Sequence, residues 1–327
     1  MTMTSPTNRT DTERAAARRA VIATSGIYIA FACLVIALTV ISPAFRDPGN
    51  LINIGRQVAV LGIAAFAMTF VIILGEIDLS IGAVASAASV VTALALAAGW
   101  GPFAIVLGLA IGAGFGLLNG LLIVYVAVPS FIATLVSFFI AQGVALTLTT
   151  GQTILFTADW FRSMFAIGGI MGLQSAFLWV VVVGVVMWWL MARTRFGYDI
   201  YAIGGNQESA RMLGLAVDRM KIWVFTLAGS LMGLVGMILI ARIGNARADA
   251  AIGLEFDAIA AVVLGGSALG GGYGSTLRTV VGVLLIGVMN NGLAILNVDF
   301  NTQQIIKGAL VISIVLIDRW IRNVKPN

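Results

Sequence analysis

An uninterrupted stretch of 80 residues, Leu79–Ala158, contains no Asp, Glu, Lys or Arg. A charge-free run of about 20 apolar residues is long enough to cross the hydrocarbon core of a membrane as a helix. The whole chain of 327 residues is 60% hydrophobic and 10% charged, with a mean hydropathy of +1.04. These values exclude a soluble globular protein and predict an all-α polytopic membrane protein.

The rare reactive side chains exclude several kinds of site. The chain has no His and a single Cys, Cys33, inside the first apolar segment. It therefore has neither an internal disulfide nor a His- or Cys-rich metal site. The net charge of +5 comes from basic residues at the edges of apolar segments, which does not indicate nucleic-acid binding. We expect the chain to bind no metal and no cofactor.

Ten apolar windows predict ten transmembrane segments. The eighth window is too short for a regular crossing and predicts a half-span or a broken helix. The windows are Ala20–Ile41, Gln57–Gly75, Leu79–Ala98, Pro102–Val126, Pro129–Thr150, Ser175–Ala192, Ile222–Ala241, Ala258–Leu269, Thr279–Val298 and Gln303–Ile317.

Basic residues predict which ends of these segments face the cytoplasm. With the Arg-rich tail of residues 1–19 inside, ten crossings also bring residues 193–221 and the C-terminal tail, residues 321–327, to that side. This arrangement places 13 basic residues inside and 5 outside, leaving aside Lys307 in the last span. We therefore expect a transmembrane domain over residues 20–320, with both termini in the cytoplasm.

The segment Arg193–Lys221 is the longest polar interruption, with eight charged residues among 29. Asn206 is a favourable N-cap and Gly214 a favourable residue after a helix end, with Glu208 in the first turn between them. The pattern predicts a short helix over Gln207–Leu213. Asp218 is then expected to cap the next, apolar helix.

Glycines recur at helical spacing in two apolar segments. Gly108, Gly112 and Gly116 follow one another every four residues, and a second set occurs at positions 229, 233 and 236. Small residues let membrane helices approach closely, so these sets predict tight helix packing. A sliding surface between moving helices would use the same residues.

Ionisable residues inside a membrane need a partner or a function. Glu76 and Asp78 flank the turn before the third span, and Asp78 is expected to be that helix's N-cap. Asp257 opens the short eighth segment and is expected to cap a half-helix. The glycine-rich Gly265–Gly274 that follows predicts a tight turn near the membrane surface.

Four amide side chains also lie in apolar segments, where they serve either as interhelical hydrogen-bond partners or as contacts to a polar solute. Together with the carboxylates and one hydroxyl they form the candidate translocation pathway. Its members are Asp78, Ser80, Asn119, Gln142, Asp257, Asn290 and Asn291.

Four segments in this order resemble the permease subunits of bacterial ATP-binding-cassette sugar importers. They are GEIDLSIGA (75–83), VPSFIATL (128–135), FGYDIYAIGGNQESARMLGL (196–215) and EFDAIAAVVLGGSALGGGYGS (255–275). The most similar group is that of the ribose, xylose, arabinose and galactose permeases, related to the branched-chain amino acid permeases. The chain departs from the pattern at Glu76, where the sugar permeases more often have Gly.

The resemblance implies a permease dimer, cytoplasmic ATP-binding subunits and a periplasmic solute-binding protein. It implies that the short cytoplasmic helix docks into the ATPase, and that ATP is used there. No Gly-Lys-Ser/Thr nucleotide-binding ending occurs in the chain. The expected coupling residues are Asn206, Gln207, Glu208, Ser209, Ala210, Arg211, Met212 and Leu213. On the outer side, Arg242 and Arg247 are candidates for binding-protein docking or for ordinary interfacial anchoring.

Two other functions compete with this interpretation. An ion-coupled secondary transporter would need an ion site, for which Glu76, Asp78 or Asp257 are candidates. An intramembrane enzyme would need a catalytic constellation, and the sequence shows no consistent one. Within the importer hypothesis, the solute is a monosaccharide or a related polyol, nucleoside or signalling molecule.

Overall fold

The computed structural model describes residues 27–170, 173–299, 301–309 and 312. Helices dominate this part of the chain, and its four strands have two residues each. The helices are α1 Ile27–Ile41, α2 Pro48–Ile73, α3 Ile81–Ala97, α4 Phe103–Tyr125, α5 Ser130–Thr149, α6 Asp159–Arg162, α7 Ser175–Arg193, α8 Arg195–Gly205, α9 Gln207–Met212, α10 Val217–Ile243, α11 Leu254–Leu264, α12 Thr276–Ile295 and α13 over 301–309. A 3-10 turn, Pro43–Arg46, and a π-helical turn, Ser163–Ile167, precede α2 and α7.

Six of the described helices are long and apolar enough to cross a membrane: α2, α4, α5, α7, α10 and α12. α1 and α3 are apolar but shorter. The chain is therefore a helical, polytopic membrane protein, as predicted. Residues 1–26 and 313–327 lie outside the described residues. The two predicted tails and parts of the first and last predicted spans belong to these residues.

Helix boundaries differ from the apolar windows where caps or polar turns extend a helix. α2 begins at Pro48, nine residues before the predicted span. Asp47 caps it, because its Oδ1 accepts hydrogen bonds from the amides of Gly49 (2.8 Å) and Asn50 (3.3 Å). Pro at the first helical position favours the same start. Helical geometry thus continues beyond the charge-free window into residues with polar side chains.

Two of the long apolar helices lie at the centre of the bundle, together with the shorter α3, whose residues are nearly all buried. In α2 and α10, 83% and 78% of the most apolar window is buried, whereas α4, α5 and α7 bury 28%, 28% and 33%. The exposed faces of these three outer helices carry large aliphatic and aromatic side chains, as expected for contact with lipid or a second subunit. The candidate pathway residues lie outside α2 and α10, in the turn before α3 and in α4, α5, α11 and α12.

Glycines bring α4 and α10 into backbone contact. A Cβ atom added at Gly112 would lie 2.2 Å from the carbonyl oxygen of Gly229, and one added at Gly229 would lie 2.2 Å from that of Gly112. Gly116 meets the Phe225 carbonyl oxygen at the same distance, while Gly114 faces open space. Tight packing at the predicted glycines is confirmed.

The eighth window, predicted to be a half-span or broken helix, contains the short helix α11, which begins at Leu254 rather than Ala258. Its 11 residues extend only about 16 Å at 1.5 Å per residue. The segment before it includes β4 (Asn245–Ala246), which pairs with β1 (Ile154–Leu155). It then enters the bundle, where the Ala251 amide donates to the buried hydroxyl of Ser86 in α3 at 3.0 Å. The half-helix therefore starts among the other helices.

Candidate coupling helix and translocation pathway

The short helix predicted in the polar segment is present as α9, Gln207–Met212. The side chain of Asn206 caps it by accepting a hydrogen bond from the Ser209 amide at 2.9 Å. Gly214 follows in the left-handed conformation, at φ +82°, which favours glycine at this position. The helix ends at Met212, one residue before the predicted end, because Leu213 already departs from helical geometry as the C-cap.

Two large apolar side chains are exposed at the end of α9. Met212 is 75% and Leu213 is 81% exposed, whereas Ala210 on the opposite face is 3% exposed. Glu208 and Arg211 flank this tip on the exposed surface. An apolar tip surrounded by charges is the composition expected of a protein contact.

Asp218 does not cap α10, contrary to prediction. That helix begins at Val217 after an N-cap residue, Ala216, that has no capping side chain. The Asp218 carboxylate instead forms an exposed bidentate pair with the Arg211 guanidinium of α9, with Nη1 to Oδ2 at 3.2 Å. The hydrogen bonds and charge of Asp218 raise the pKa of the Arg211 guanidinium above its ordinary value. The pair thus joins α9 to the first turn of α10.

A second helix in the polar segment, α8, was not predicted. Thr194 caps it by accepting from the Gly197 amide at 3.4 Å, and Ile200 and Ile203 are fully buried on its inner face. The spacing of Phe196, Ile200 and Ile203 by four and three residues is a helical pattern that could have revealed it.

α8 packs against the glycine-rich turn, which lies at the end of α2. The Tyr201 hydroxyl donates to the Gly274 carbonyl at 2.8 Å, and burial raises the pKa of this phenol above its ordinary value. A Cβ at Gly204 would lie 1.8 Å from the Ile73 carbonyl oxygen, and the Gly272 amide donates to the same oxygen at 2.8 Å. Glycines are therefore required for this close approach of three backbone segments.

Glu76 and Lys221 form a buried ion pair that the sequence did not predict. Lys221 Nζ lies 2.5 Å from Glu76 Oε1, and the side chains are 12% and 9% exposed. The pair connects the turn between α2 and α3 with the first turns of α10. Each residue had been placed in a different polar segment, so only the fold brings them together.

Asp78 and Ser80 lie together with Asn119. Asp78 Oδ1 accepts from the Ser80 amide (2.8 Å) and hydroxyl (2.6 Å), and Ser80 Oγ accepts from Asn119 Nδ2 at 2.9 Å. Ser80, rather than Asp78, occupies the N-cap position of α3, so the predicted cap is wrong by two residues. The Asp78 carboxylate is engaged in ordering the residue that precedes the helix.

Asp257 is a half-buried carboxylate that contacts two other helices. Asp257 was predicted to be the N-cap of its helix, but Gly253 is the N-cap of α11 and Asp257 lies in the first turn. Its Oδ2 accepts from Lys307 Nζ and from Asn290 Nδ2, both at 2.9 Å. The carboxylate therefore joins α11 to α12 and α13. Lys307 was left out of the count of basic residues because it lies within the last predicted span, and its pairing with Asp257, 50 residues away, was not predicted.

Glu255 was missed by the sequence analysis as a separate site residue. It is 3% exposed, and its Oε1 accepts from the Gly253 amide at 3.0 Å. Oε2 has no hydrogen-bond partner among the described residues, and it lies against Gly82 in α3. The acidic pair at positions 255 and 257, at the start of a short helix in an apolar chain, was the available signal.

The amides of Asn291 and Gln142 lie outside the groups around Asp78 and Asp257. Asn291 forms two hydrogen bonds with Asn50, at 2.8 and 3.1 Å, that join α12 to α2. The half-buried Gln142 lies in α5, and its Oε1 has no partner within the described part of the chain. Asn291 therefore serves helix packing, and Gln142 stands apart. The other five pathway candidates lie in two separate groups, around Asp78 and around Asp257.

The two candidate docking arginines lie in different environments. Arg247 is exposed and pairs with Asp249, Nη2 to Oδ2 at 2.9 Å. Arg242 is half-buried one residue before the end of α10, where it lines a cavity together with Gln57, Asp257 and Asn290. Arg247 is thus available on the surface, whereas Arg242 faces an internal space.

Comparisons with known proteins cover nearly the whole chain. Residues 50–315 match the family described as branched-chain amino acid transport system / permease component. The ribose import permease protein RbsC of Bacillus subtilis is 41% identical over 296 residues, covering 90% of this chain and 92% of that protein. RbsC of Escherichia coli K12 is 38% identical over 89% and 92% of the two chains. The L-arabinose permease AraH of Azospirillum brasilense is 34% identical over 91% and 88%.

Proposed function

Because the chain belongs to the branched-chain amino acid transport system / permease component family, we propose that it imports a monosaccharide as the membrane subunit of an ATP-binding-cassette transporter. The chain is a multi-pass protein of the bacterial cytoplasmic (inner) membrane. A second permease subunit, cytoplasmic ATP-binding subunits and a periplasmic solute-binding protein complete the transporter. The chain itself binds no nucleotide and no nucleic acid, and ATP is hydrolysed by its partner.

The exposed tip of α9 is the observation that carries this proposal. A capped helix with Met212 and Leu213 exposed presents an apolar contact beside charged residues. Through the Arg211–Asp218 pair and a connection of four residues it is joined to α10, one of the two central helices. A partner that pulls on α9 therefore acts on the core of the bundle. This is the arrangement required of a subunit that uses another protein's ATP hydrolysis.

Transport follows alternating access. ATP binding closes the ATPase dimer and moves the two docked α9 helices, and the binding protein releases its solute into the opened cavity. Hydrolysis then resets the permease. α10 is suited to link these events, because its 27 residues extend about 40 Å from α9 to the cavity at Arg242.

Ten crossings with both termini in the cytoplasm complete the proposed topology. The Glu76–Lys221 pair supports it, since the turn after α2 and the start of α10 are both expected on the cytoplasmic side. The β1–β4 pair joins two segments that are both expected outside. Residues 193–221 are then the coupling loop of a transmembrane domain over residues 20–320.

The relatives support a sugar as solute, because several proteins matched over about nine-tenths of this chain are named for ribose, arabinose or allose transport. An ion-coupled transporter has less support. Two of its candidate ion ligands, Glu76 and Asp257, already have lysine partners at 2.5 and 2.9 Å. Such pairs neutralise the charge that would attract a cation.

The proposal is tested in proteoliposomes that contain this chain with the ATPase and binding protein encoded beside it. We expect uptake of the binding protein's sugar only when ATP is supplied to the ATPase side. Uptake that continues without ATP and follows an imposed proton or sodium gradient would establish the secondary transporter instead.

A further inference from the structure

The cavity beside Arg242 has a volume of about 150 Å³ and lies between α2, α10, α11 and α12. We call it the Arg242 cavity. Its polar lining consists of Gln57, Arg242, Asp257 and Asn290, and its apolar lining includes Val60, Leu61 and Leu254. A small number of polar groups on a largely apolar wall is the usual composition of a small-molecule site.

The polar groups of this cavity have unused hydrogen-bonding capacity. Both recorded bonds to Asp257 fall on Oδ2, so no described residue donates to Oδ1. Asn290 uses Nδ2 for Asp257, and its buried Oδ1 has no partner among the described residues. Within the same part of the chain, neither the Arg242 guanidinium nor the Gln57 amide has a recorded partner. A buried polar atom without a partner is costly, which favours pairing of Asn290 Oδ1 with a ligand, while the half-buried Arg242, Gln57 and Asp257 remain free to bind the same ligand.

We propose that the Arg242 cavity is a binding subsite for a neutral polyhydroxylated solute. Arg242 only donates hydrogen bonds, the unprotonated oxygens of Asp257 and Asn290 only accept them, and Gln57 does both. A sugar hydroxyl can both donate and accept, so a ring of hydroxyls satisfies all four residues. The apolar side chains at 60, 61 and 254 face the C–H groups of such a ring.

The acceptor oxygens decide between a neutral and an anionic solute. A carboxylate could bind Arg242, but the ionised group has no proton to donate to Asp257 Oδ1 or Asn290 Oδ1. Lys307 already offsets the charge of Asp257 at 2.9 Å, so Arg242 and its neighbour Arg56 are the remaining cations near this cavity. The two free acceptor oxygens favour a neutral solute, because its hydroxyl groups can donate to both.

The position of the cavity assigns it a step in transport, and this step rests on the proposed function. Lys221 and Arg242 lie on the same helix, α10, about 32 Å apart at 1.5 Å per residue. The cavity is therefore at the opposite end of α10 from the coupling helix α9. At that end it receives solute released by the binding protein, before the pathway opens to the cytoplasm.

Cysteine labelling measures occupancy of the cavity directly. Cys33 is the only cysteine of the chain, so Cys33→Ala gives a thiol-free background. In the Cys33→Ala protein, Val60→Cys replaces a valine of the cavity wall with a thiol side chain of similar size and removes no polar group. Asn53→Cys, on the exposed surface of α2 one turn before Gln57, is the control. A methanethiosulfonate reagent is applied to the reconstituted complex with its ATPase, with D-ribose or D-ribonate as probe.

We expect ribose to slow labelling of the Val60→Cys variant about tenfold at about ten times its dissociation constant, and to leave the Asn53→Cys variant unaffected. Adding Asn290→Ala or Arg242→Gln should remove this protection while labelling without sugar stays unchanged, which a purely structural defect would not produce. Protection by ribonate alone would overturn the solute class. Failure of Val60→Cys to react would overturn the subsite, and so would labelling at the same rate with and without each probe.

Uptake measured in parallel separates the two proposals. ATP-dependent ribose uptake by the Cys33→Ala protein without protection at Val60→Cys contradicts the subsite and leaves the proposed function intact. Protection without any ATP-dependent uptake by the assembled complex contradicts the proposed function and leaves the binding subsite intact.

Discussion

The ammonium group of Lys221 lies 2.5 Å from the carboxylate of Glu76, with only 12% and 9% of the side chains exposed. Lys221 is in the first turns of α10, and Glu76 is in the turn that also carries Asp78 and Ser80. The pair therefore links the helix that follows α9 to the start of α3. A displacement of α9 in the membrane bundle is expected to reach this turn through it.

Removing one partner of this pair should be strongly destabilising, because it leaves an unpaired charge in a buried place. We expect Lys221→Met to lower the free energy of unfolding by about 3–5 kcal/mol. The exposed pair Arg211–Asp218 is the matched control, and Arg211→Ala should leave stability nearly unchanged because solvent screens the pair. Thermal unfolding of the purified protein in detergent measures both.

The reversed pair tests the same interaction without removing charge. The double variant Glu76→Lys with Lys221→Glu should recover most of the stability and uptake lost in Lys221→Met. A double variant as unstable as the single one, or a Lys221→Met protein as stable as Arg211→Ala, would show that the pair contributes little.

The glycine contact between α4 and α10 predicts a sharp difference between two neighbours on one helix. Gly112→Ala would place a methyl group 2.2 Å from a backbone oxygen of α10, which cannot move aside as a flexible side chain would. We expect a loss of about 1–3 kcal/mol in stability. Gly114→Ala, which faces open space, should be neutral or stabilising by up to about 1 kcal/mol. Equal melting temperatures for the two variants would contradict the packing described.

The cap of α9 predicts a smaller, graded effect. Asn206→Ala removes the acceptor for the Ser209 amide and should destabilise α9 by about 1 kcal/mol. Asn206→Asp keeps an acceptor and should behave like the natural protein. The ratio of sugar transported to ATP hydrolysed should fall in the alanine variant alone, since α9 is then ordered for less of the time. The idea fails if both variants keep the same ratio.

Arg247 is the exposed member of the two candidate docking arginines, and its reversal tests docking of the binding protein. Arg247→Glu should lower binding-protein-stimulated ATPase activity and leave basal ATPase activity unchanged. Stability should change by less than about 1 kcal/mol, because the Arg247–Asp249 pair is exposed. Arg46→Glu, also exposed and expected on the same side, is the control. Unchanged stimulation in Arg247→Glu would indicate simple interfacial anchoring.

Much of the architecture was predictable because apolar length and local capping are properties of short stretches of sequence. The windows located the main helices, and Asn206 and Gly214 located both ends of α9 to within one residue. Helix starts were less predictable where polar residues continue a helix, as between Pro48 and Gln57 in α2. A charge-free window predicts the part of a helix that lies in the membrane, and the helix itself can be longer.

The candidate site was only partly predictable because its geometry depends on contacts between distant parts of the chain. Asp257 was identified as a costly intramembrane carboxylate, but its pairing with Lys307 and Asn290 requires α11, α12 and α13 to meet. Asp78 and Asp257 were both expected to cap helices from their neighbours alone. In the fold, Ser80 and Gly253 take those positions.

The central claim is that ATP hydrolysis by a partner drives this permease through α9. It is tested most directly by the binding-protein-stimulated ATPase activity and the sugar uptake of Leu213→Glu and Met212→Glu in the reconstituted complex, beside Met164→Glu, an exposed methionine elsewhere. A charge on the apolar tip should leave the protein in the membrane but abolish binding-protein-stimulated ATPase activity and lower uptake by at least about tenfold, as expected when a central contact residue is lost. Met164→Glu should retain both. Normal stimulated ATPase activity and uptake in Leu213→Glu and Met212→Glu would contradict the account.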